Sequence, residues 1–229
     1  MFPIHDTIPS SSRPVVTIGL IVINALVFLY QLALPEAAME HFLQQFAFYP
    51  VAFFQTPLLS WERWQPVLTS MFLHGGFMHI VGNMWYLWLF GDNVEDALGH
   101  GRFLLFYLLC GIGAAVAHAF TNPNSAIPTV GASGAISGVM GAYMLFFPHS
   151  RIITIVPLFI TWLSLAIPAY VFLGVWALLQ VYNGILLSAE NMGGVAWWAH
   201  AGGFLAGMML GPLFRRRIPR SQYRQSLPF

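Results

Sequence analysis

Apolar positions in this chain fall into long uncharged runs separated by short polar clusters. Crossing ~30 Å of hydrocarbon takes about 20 helical residues at 1.5 Å rise each. Five runs reach that scale: 15–34, 71–90, 103–120, 130–147 and 195–214. A sixth uncharged stretch, 152–187, is too long for one span and leaves almost nothing for a turn if it makes two. Pro157 and Pro168 divide it. Because proline is favoured at a helix start, 152–167 reads as a partly immersed connection and 168–187 as the fifth span. The pattern predicts an all-α polytopic membrane protein with six transmembrane helices. Residues 1–14 form an N-terminal segment, 15–214 the membrane domain and 215–229 a basic tail. The one sizeable extramembrane stretch, 35–65, carries Trp61 and Trp64 around Glu62 and Arg63, the pattern of a helix lying at the interface.

Composition agrees: 58% of residues are hydrophobic and 7% charged, where a soluble domain has about a quarter charged. A net charge of +1 leaves too little basic surface to neutralise several phosphates, which excludes a nucleic-acid binder. Cys110 is the single cysteine, so the chain has neither an internal disulfide nor a thiolate metal site. Arginine placement orients the helices, since cytoplasmic loops are enriched in basic residues. With six spans and the N-terminus inside, Arg13, Arg102, Arg151, Arg215, Arg216, Arg217, Arg220 and Arg224 are cytoplasmic and Arg63 alone is outside. A seventh span would move the basic tail outward, so six are preferred, with both termini cytoplasmic. The first run exceeds a signal-peptide core and lacks a small-x-small cleavage site, so it reads as retained.

Polar groups inside a membrane are costly and are therefore functional candidates. In this topology the second, fourth and sixth spans all run inward. His79 lies 11 residues before the inner end of its run, and Ser133 and His200 lie 14 before theirs. At 1.5 Å per residue all three sit roughly 16–21 Å above the inner boundary. Asn83 shares a helix face with His79 at i, i+4. Ser133 is followed by Gly134, Gly138 and Gly141, and His200 by Gly203, Gly207 and Gly211. Such small-xxx-small stripes let backbones touch. Either stripe alone is an ordinary packing motif; the common depth of the three groups singles them out. His118 and Asn24 read as packing polar groups, and His74 as a wetted histidine near the outer interface.

Serine attacks a carbonyl only when a base takes its proton, and imidazole suits that task at neutral pH. Ser133 and His200 fit these roles. All eight carboxylates lie outside the spans, so a dyad is expected rather than an acid-assisted triad. The Asn83 amide, a His79 ring N–H and the Ser133 backbone N–H are candidate donors to a developing oxyanion. Depth does not separate the two histidines; the glycine stripe beside His200 favours it as the base. No H-E-x-x-H zinc motif is present, an aspartyl mechanism would need two intramembrane carboxylates, and no cofactor is implied.

Three segments carry a resemblance: FLHGGFMHIVGN at 72–83, GASGAISGVMGAY at 131–143 and WWAHAGGFLAG at 197–207. They are similar to the HxxxN, GxSG and AHxGG-type signatures of rhomboid intramembrane serine proteases in their minimal six-span prokaryotic form, in the same order. The likeness covers the chain from the first span onward. It implies Ser133 as nucleophile, His200 as base, and His79 and Asn83 at the oxyanion hole. The implied substrates are single-span membrane proteins in the lipid bilayer, cut in or near the spanning helix, with small residues at the cut and helix-destabilising sequence around it. The implied location is a prokaryotic inner membrane. Two departures stand out. The family's Trp-Arg pair in the first outer loop is replaced by Trp61-Glu62-Arg63-Trp64, and Ser137 stands where some members place an aromatic residue against the histidine. The rival readings are a rhomboid-like pseudoprotease that binds membrane clients, and a small channel or transporter. Retention of both Ser133 and His200 weighs against the first, and the apolar inner halves of the second, fourth and sixth spans against the second.

Overall fold

The computed structural model describes residues 2–158, 161–187 and 195–216. In chain order the elements are β1 (Phe2–Asp6), α1 (Val15–Ala33), α2 (Glu36–Phe46), α3 (Pro50–Gln55), α4 (Trp61–Thr69), α5 (Phe77–Leu98), α6 (His100–Thr121), α7 (Ser133–Phe146), β2 (Arg151–Leu158), β3 (Thr161–Pro168), α8 (Ala169–Leu186) and α9 (Trp197–Phe214). The long apolar runs thus become α1, α5, α6, α7, α8 and α9. Of these, α1, α6 and α8 are long and apolar enough to cross a membrane by length and composition. On α8 only Ala169, Leu173 and Gln180 are buried, while Val175, Leu178, Leu179 and Ile185 face outward. Such an apolar exterior suits lipid as the solvent.

The short α7 is the axis of the bundle. Every residue from Gly134 to Tyr143 is buried, because glycine and alanine let α6 and α9 close on it from two sides. A β-carbon on Gly134 would lie 2.6 Å from that of Ala114 on α6, and one on Gly207 would lie 1.9 Å from the Gly138 carbonyl oxygen. The helices meet backbone to backbone, as small-residue stripes permit.

Two features depart from the sequence reading. The architecture is not purely helical: β1, β2 and β3 form an antiparallel sheet in the order β1-β2-β3. It is built from the 152–167 connection and part of the N-terminal segment. Five consecutive β-branched residues, Ile152 to Val156, favour the pleated state, and Phe2 pairs with Ile155 while Ile152 pairs with Ile167. Second, the second, fourth and sixth helices begin at Phe77, Ser133 and Trp197, later than hydropathy places them. Gly131 has φ +123°, which no helix accommodates, and Ser70–Phe72 forms a separate 3₁₀ turn. The segment 35–65 holds α2, α3 and the start of α4. Its variant Arg63 stacks its guanidinium 4.1 Å from the Phe53 ring centre and donates to the Thr56 carbonyl at 3.0 Å. Phe48, Phe53 and Val67 seat this segment on Ala115 and Ala119 of α6.

The far end of the bundle gathers the charged groups. The carboxylate of Glu95, fully buried, accepts hydrogen bonds from the Val16 and Thr17 amides at 2.9 and 2.7 Å and from the Thr17 hydroxyl at 2.7 Å. It thereby caps α1, whose own N-cap, Pro14, has no side-chain acceptor. Asp96 accepts from the Ser11 and Ser12 hydroxyls, and the Arg216 amide donates to the Ala97 carbonyl at 3.0 Å. Arg217, Arg220 and Arg224, which bear on the topology, and Glu190, one of the eight carboxylates, lie outside the described residues.

Candidate active site

Ser133 is the first residue of α7, so its backbone N–H has no intrahelical acceptor. His200 lies in the first turn of α9. The contact between these helices brings the Ser133 Oγ to 2.8 Å from His200 Nε2. The approach depends on the glycines one residue after Ser133 and three after His200: a β-carbon on Gly203 would fall 2.0 Å from the Gly134 carbonyl oxygen.

His79 and Asn83 lie on α5 and face Gly131, two residues before Ser133. A β-carbon on Gly131 would lie 2.7 Å from His79 Nε2 and 3.4 Å from Asn83 Nδ2. The bare glycine is what admits both groups. The Gly75 amide donates to His79 Nδ1 at 3.4 Å; an accepting Nδ1 leaves the proton of a neutral imidazole on Nε2, which faces Gly131. Asn83 is buried, and its Nδ2 has no partner among the described residues. A buried amide donor without an acceptor is costly and calls for a ligand or a water. Ser133, His200, His79, Asn83 and Gly131 all line one cavity of about 1220 Å³.

Three further residues lie beside the imidazole. Gln180 on α8 places Oε1 at 2.9 Å from His200 Nδ1. Trp176, one turn earlier on α8, and Trp197 on α9 bring their rings to 6.0 and 6.3 Å from that of His200. These groups hold the histidine where Ser137 does not: the Ser137 hydroxyl instead donates to the Ser133 carbonyl at 2.6 Å. A glutamine inside an uncharged run was itself a signal, since intramembrane polar side chains seek partners.

The remaining polar groups divide. Asn24 donates to the Leu20 carbonyl of its own helix, and His118 bonds Asn122, the residue that caps the end of α6. His74 is not wetted: it is buried, neither ring nitrogen has a partner among the described residues, and its ring centre lies 5.1 Å from that of His79.

The rhomboid domain family matches residues 60–217. The chain is similar to RHOMBOID-like protein 5 of Arabidopsis thaliana, with 32% identity over 66% of this chain and 43% of that protein. It is similar to rhomboid protease GluP of Bacillus subtilis, with 40% identity over 39% of this chain and 17% of that protein. It also resembles the putative rhomboid protease YdcA of the same bacterium, with 39% identity over 36% of this chain and 41% of that protein. The chain spans less than half the length of each of these relatives.

Proposed function

Because the chain belongs to the rhomboid family, we propose that this integral membrane protein is an intramembrane serine endopeptidase that cuts single-span membrane proteins in or near their spanning helix. The observation that carries the proposal is the 2.8 Å contact between the Ser133 hydroxyl and His200 Nε2 inside a cavity large enough for an extended peptide segment.

In this reading Ser133 Oγ attacks the scissile carbonyl carbon while its proton passes to His200 Nε2. The carbonyl oxygen becomes an oxyanion that accepts hydrogen bonds from Asn83 Nδ2, His79 Nε2 and the Ser133 backbone N–H. Collapse breaks the C–N bond, and the imidazolium returns its proton to the departing amine. Water, deprotonated by the same imidazole, then attacks the acyl-serine; collapse frees the acid product and restores Oγ–H. In this reading α1, α5, α6, α7, α8 and α9 are the six membrane helices. Arg13, Arg102, Arg151, Arg215 and Arg216 end on the cytoplasmic side, with Glu36, Glu40, Glu62 and Arg63 on the other. The position of Arg216 against Ala97 and Leu98 supports this grouping.

The test is incubation of detergent-purified protein with a panel of single-span membrane proteins, alongside labelling by a serine-directed fluorophosphonate. A defined cut that Ser133→Ala and His200→Ala both abolish, with the label on Ser133, is the expected result. Binding of clients with neither cut nor label would instead identify a pseudoprotease, and a label on Ser137 would move the nucleophile by one turn.

A further inference from the structure

We propose that Gln180 is the positioning residue of the site, the group that selects the tautomer of His200. The inference rests on the reading of Ser133 as nucleophile and His200 as base.

Gln180 is the one polar side chain among the buried residues of α8, at 5% exposure. An amide in that position is costly unless both of its ends are bonded, and both are. Its Nε2 donates to the Trp176 carbonyl at 3.1 Å, and its Oε1 lies 2.9 Å from His200 Nδ1. The donor pattern then has one solution. A backbone carbonyl only accepts, so the NH₂ end of the amide must face Trp176. The oxygen left toward His200 also only accepts, so Nδ1 carries the imidazole proton. A neutral imidazole has one N–H, so Nε2 presents a lone pair to the Ser133 hydroxyl, which donates to it. The opposite tautomer would set an N–H against the serine, and no proton could leave.

The residue type is explained by the same chemistry. When Nε2 takes the serine proton, the imidazolium keeps its Nδ1–H on the glutamine oxygen, and the amide dipole stabilises the new charge. A carboxylate would do this more strongly, but it would hold a permanent anion inside the hydrocarbon layer between turnovers. Glutamine supplies orientation without that standing charge. The Trp176 ring, tilted by 35° with its centre 6.0 Å away, limits rotation of the imidazole, and the Trp176 carbonyl fixes the amide, so one turn of α8 controls both orientation and protonation.

The experiment compares wild type with Gln180→Leu and Gln180→Glu. Turnover of one single-span substrate, its KM, the pH–rate profile and thermal unfolding in the same detergent are measured for each. In Gln180→Leu, kcat falls about 10–100-fold at unchanged KM, the loss of one hydrogen bond to a group that becomes charged. The acidic limb of its profile moves to lower pH, because the imidazolium has lost its acceptor. Gln180→Glu keeps most of the turnover, and its acidic limb moves to higher pH. Gln180→Leu at the wild-type rate would overturn the inference. So would a loss of rate with the acidic limb unmoved in both variants, which is the signature of packing alone. If Gln180→Leu does not fold, the shift in Gln180→Glu decides alone. A wild type that takes the fluorophosphonate on Ser133 while Gln180→Leu matches its rate sinks this inference only. A wild type that neither labels nor cuts sinks the protease reading and this inference together.

Discussion

Gly203 lies so close to Gly134 that a β-carbon on the first would stand 2.0 Å from the carbonyl oxygen of the second. This contact sits beside the Ser133–His200 hydrogen bond and sets the distance between the two helices that carry it. The obstructing atom belongs to backbone, so no side chain can swing aside. Gly203→Ala should therefore separate α7 from α9, cost about 3 kcal/mol, the upper end of the overpacking range, and abolish cleavage. Gly82→Ala is the matched control, since nothing lies within 4 Å of its β-carbon; it should be neutral or slightly stabilising. Thermal unfolding in detergent and turnover on one substrate check both. Wild-type turnover in Gly203→Ala would show that the close approach is dispensable.

Gly131→Ala tests a different constraint. The residue has φ +123°, a conformation L-residues rarely adopt, and its β-carbon would meet His79 Nε2 at 2.7 Å. The substitution should displace His79 from the oxyanion position while leaving the Ser133–His200 pair in contact. Turnover should fall by about 10²–10³, the loss typical of one oxyanion donor, and fluorophosphonate should still label Ser133, more slowly. Complete loss of labelling would mean that Gly131 also sets the position of the nucleophile.

The local parts of this site were legible because helical spacing encodes them. His79 and Asn83 at i, i+4 had to share a face, and two glycine stripes named the helix pair that could bring serine and histidine together. The rest depends on partners far away in sequence. Gln180 has meaning only beside His200, and a strand at 2–6 forms only against one at 151–158. Hydropathy also misplaced the helix starts, because the backbone turn at Gly131 is a conformational property that apolar content does not register. His74 looked wetted by position alone, whereas its burial follows from the way Gln31 holds its backbone, donating to its carbonyl at 3.2 Å and accepting from its amide at 3.0 Å.

At the far end, Glu95 serves a helix other than its own. Removing its carboxylate leaves the Val16 and Thr17 amides without acceptors in a buried place. Each lost hydrogen bond to a buried group costs about 1–3 kcal/mol. Glu95→Ala should accordingly lower thermal stability by several degrees, whereas Glu95→Gln, which keeps one acceptor oxygen, should lose less. The site lies at the opposite ends of these helices, so in protein that remains folded both variants should keep wild-type KM. A KM change without loss of stability would contradict a purely structural role.

Asn83 and His79 provide the test that separates oxyanion stabilisation from nucleophilic attack. Both converge on Gly131, and the Asn83 amide nitrogen has no partner among the described residues. In the proposed mechanism its acceptor is the oxyanion. Asn83→Ala should lower turnover by about 10²–10³, or ~2.7–4 kcal/mol, yet leave residual cleavage that still requires Ser133. The Ser133 backbone N–H and His79 continue to face the oxyanion in that variant. His79→Ala should act in the same sense. Because the two donors serve one charge, the double mutant should lose less than the sum of the single losses. Thermal stability recorded in parallel adds a second constraint. Deleting an unpaired buried donor removes a desolvation cost, so Asn83→Ala should be no less stable than wild type. Full turnover together with lowered stability would make Asn83 a packing amide and move the oxyanion hole to the backbone of α7.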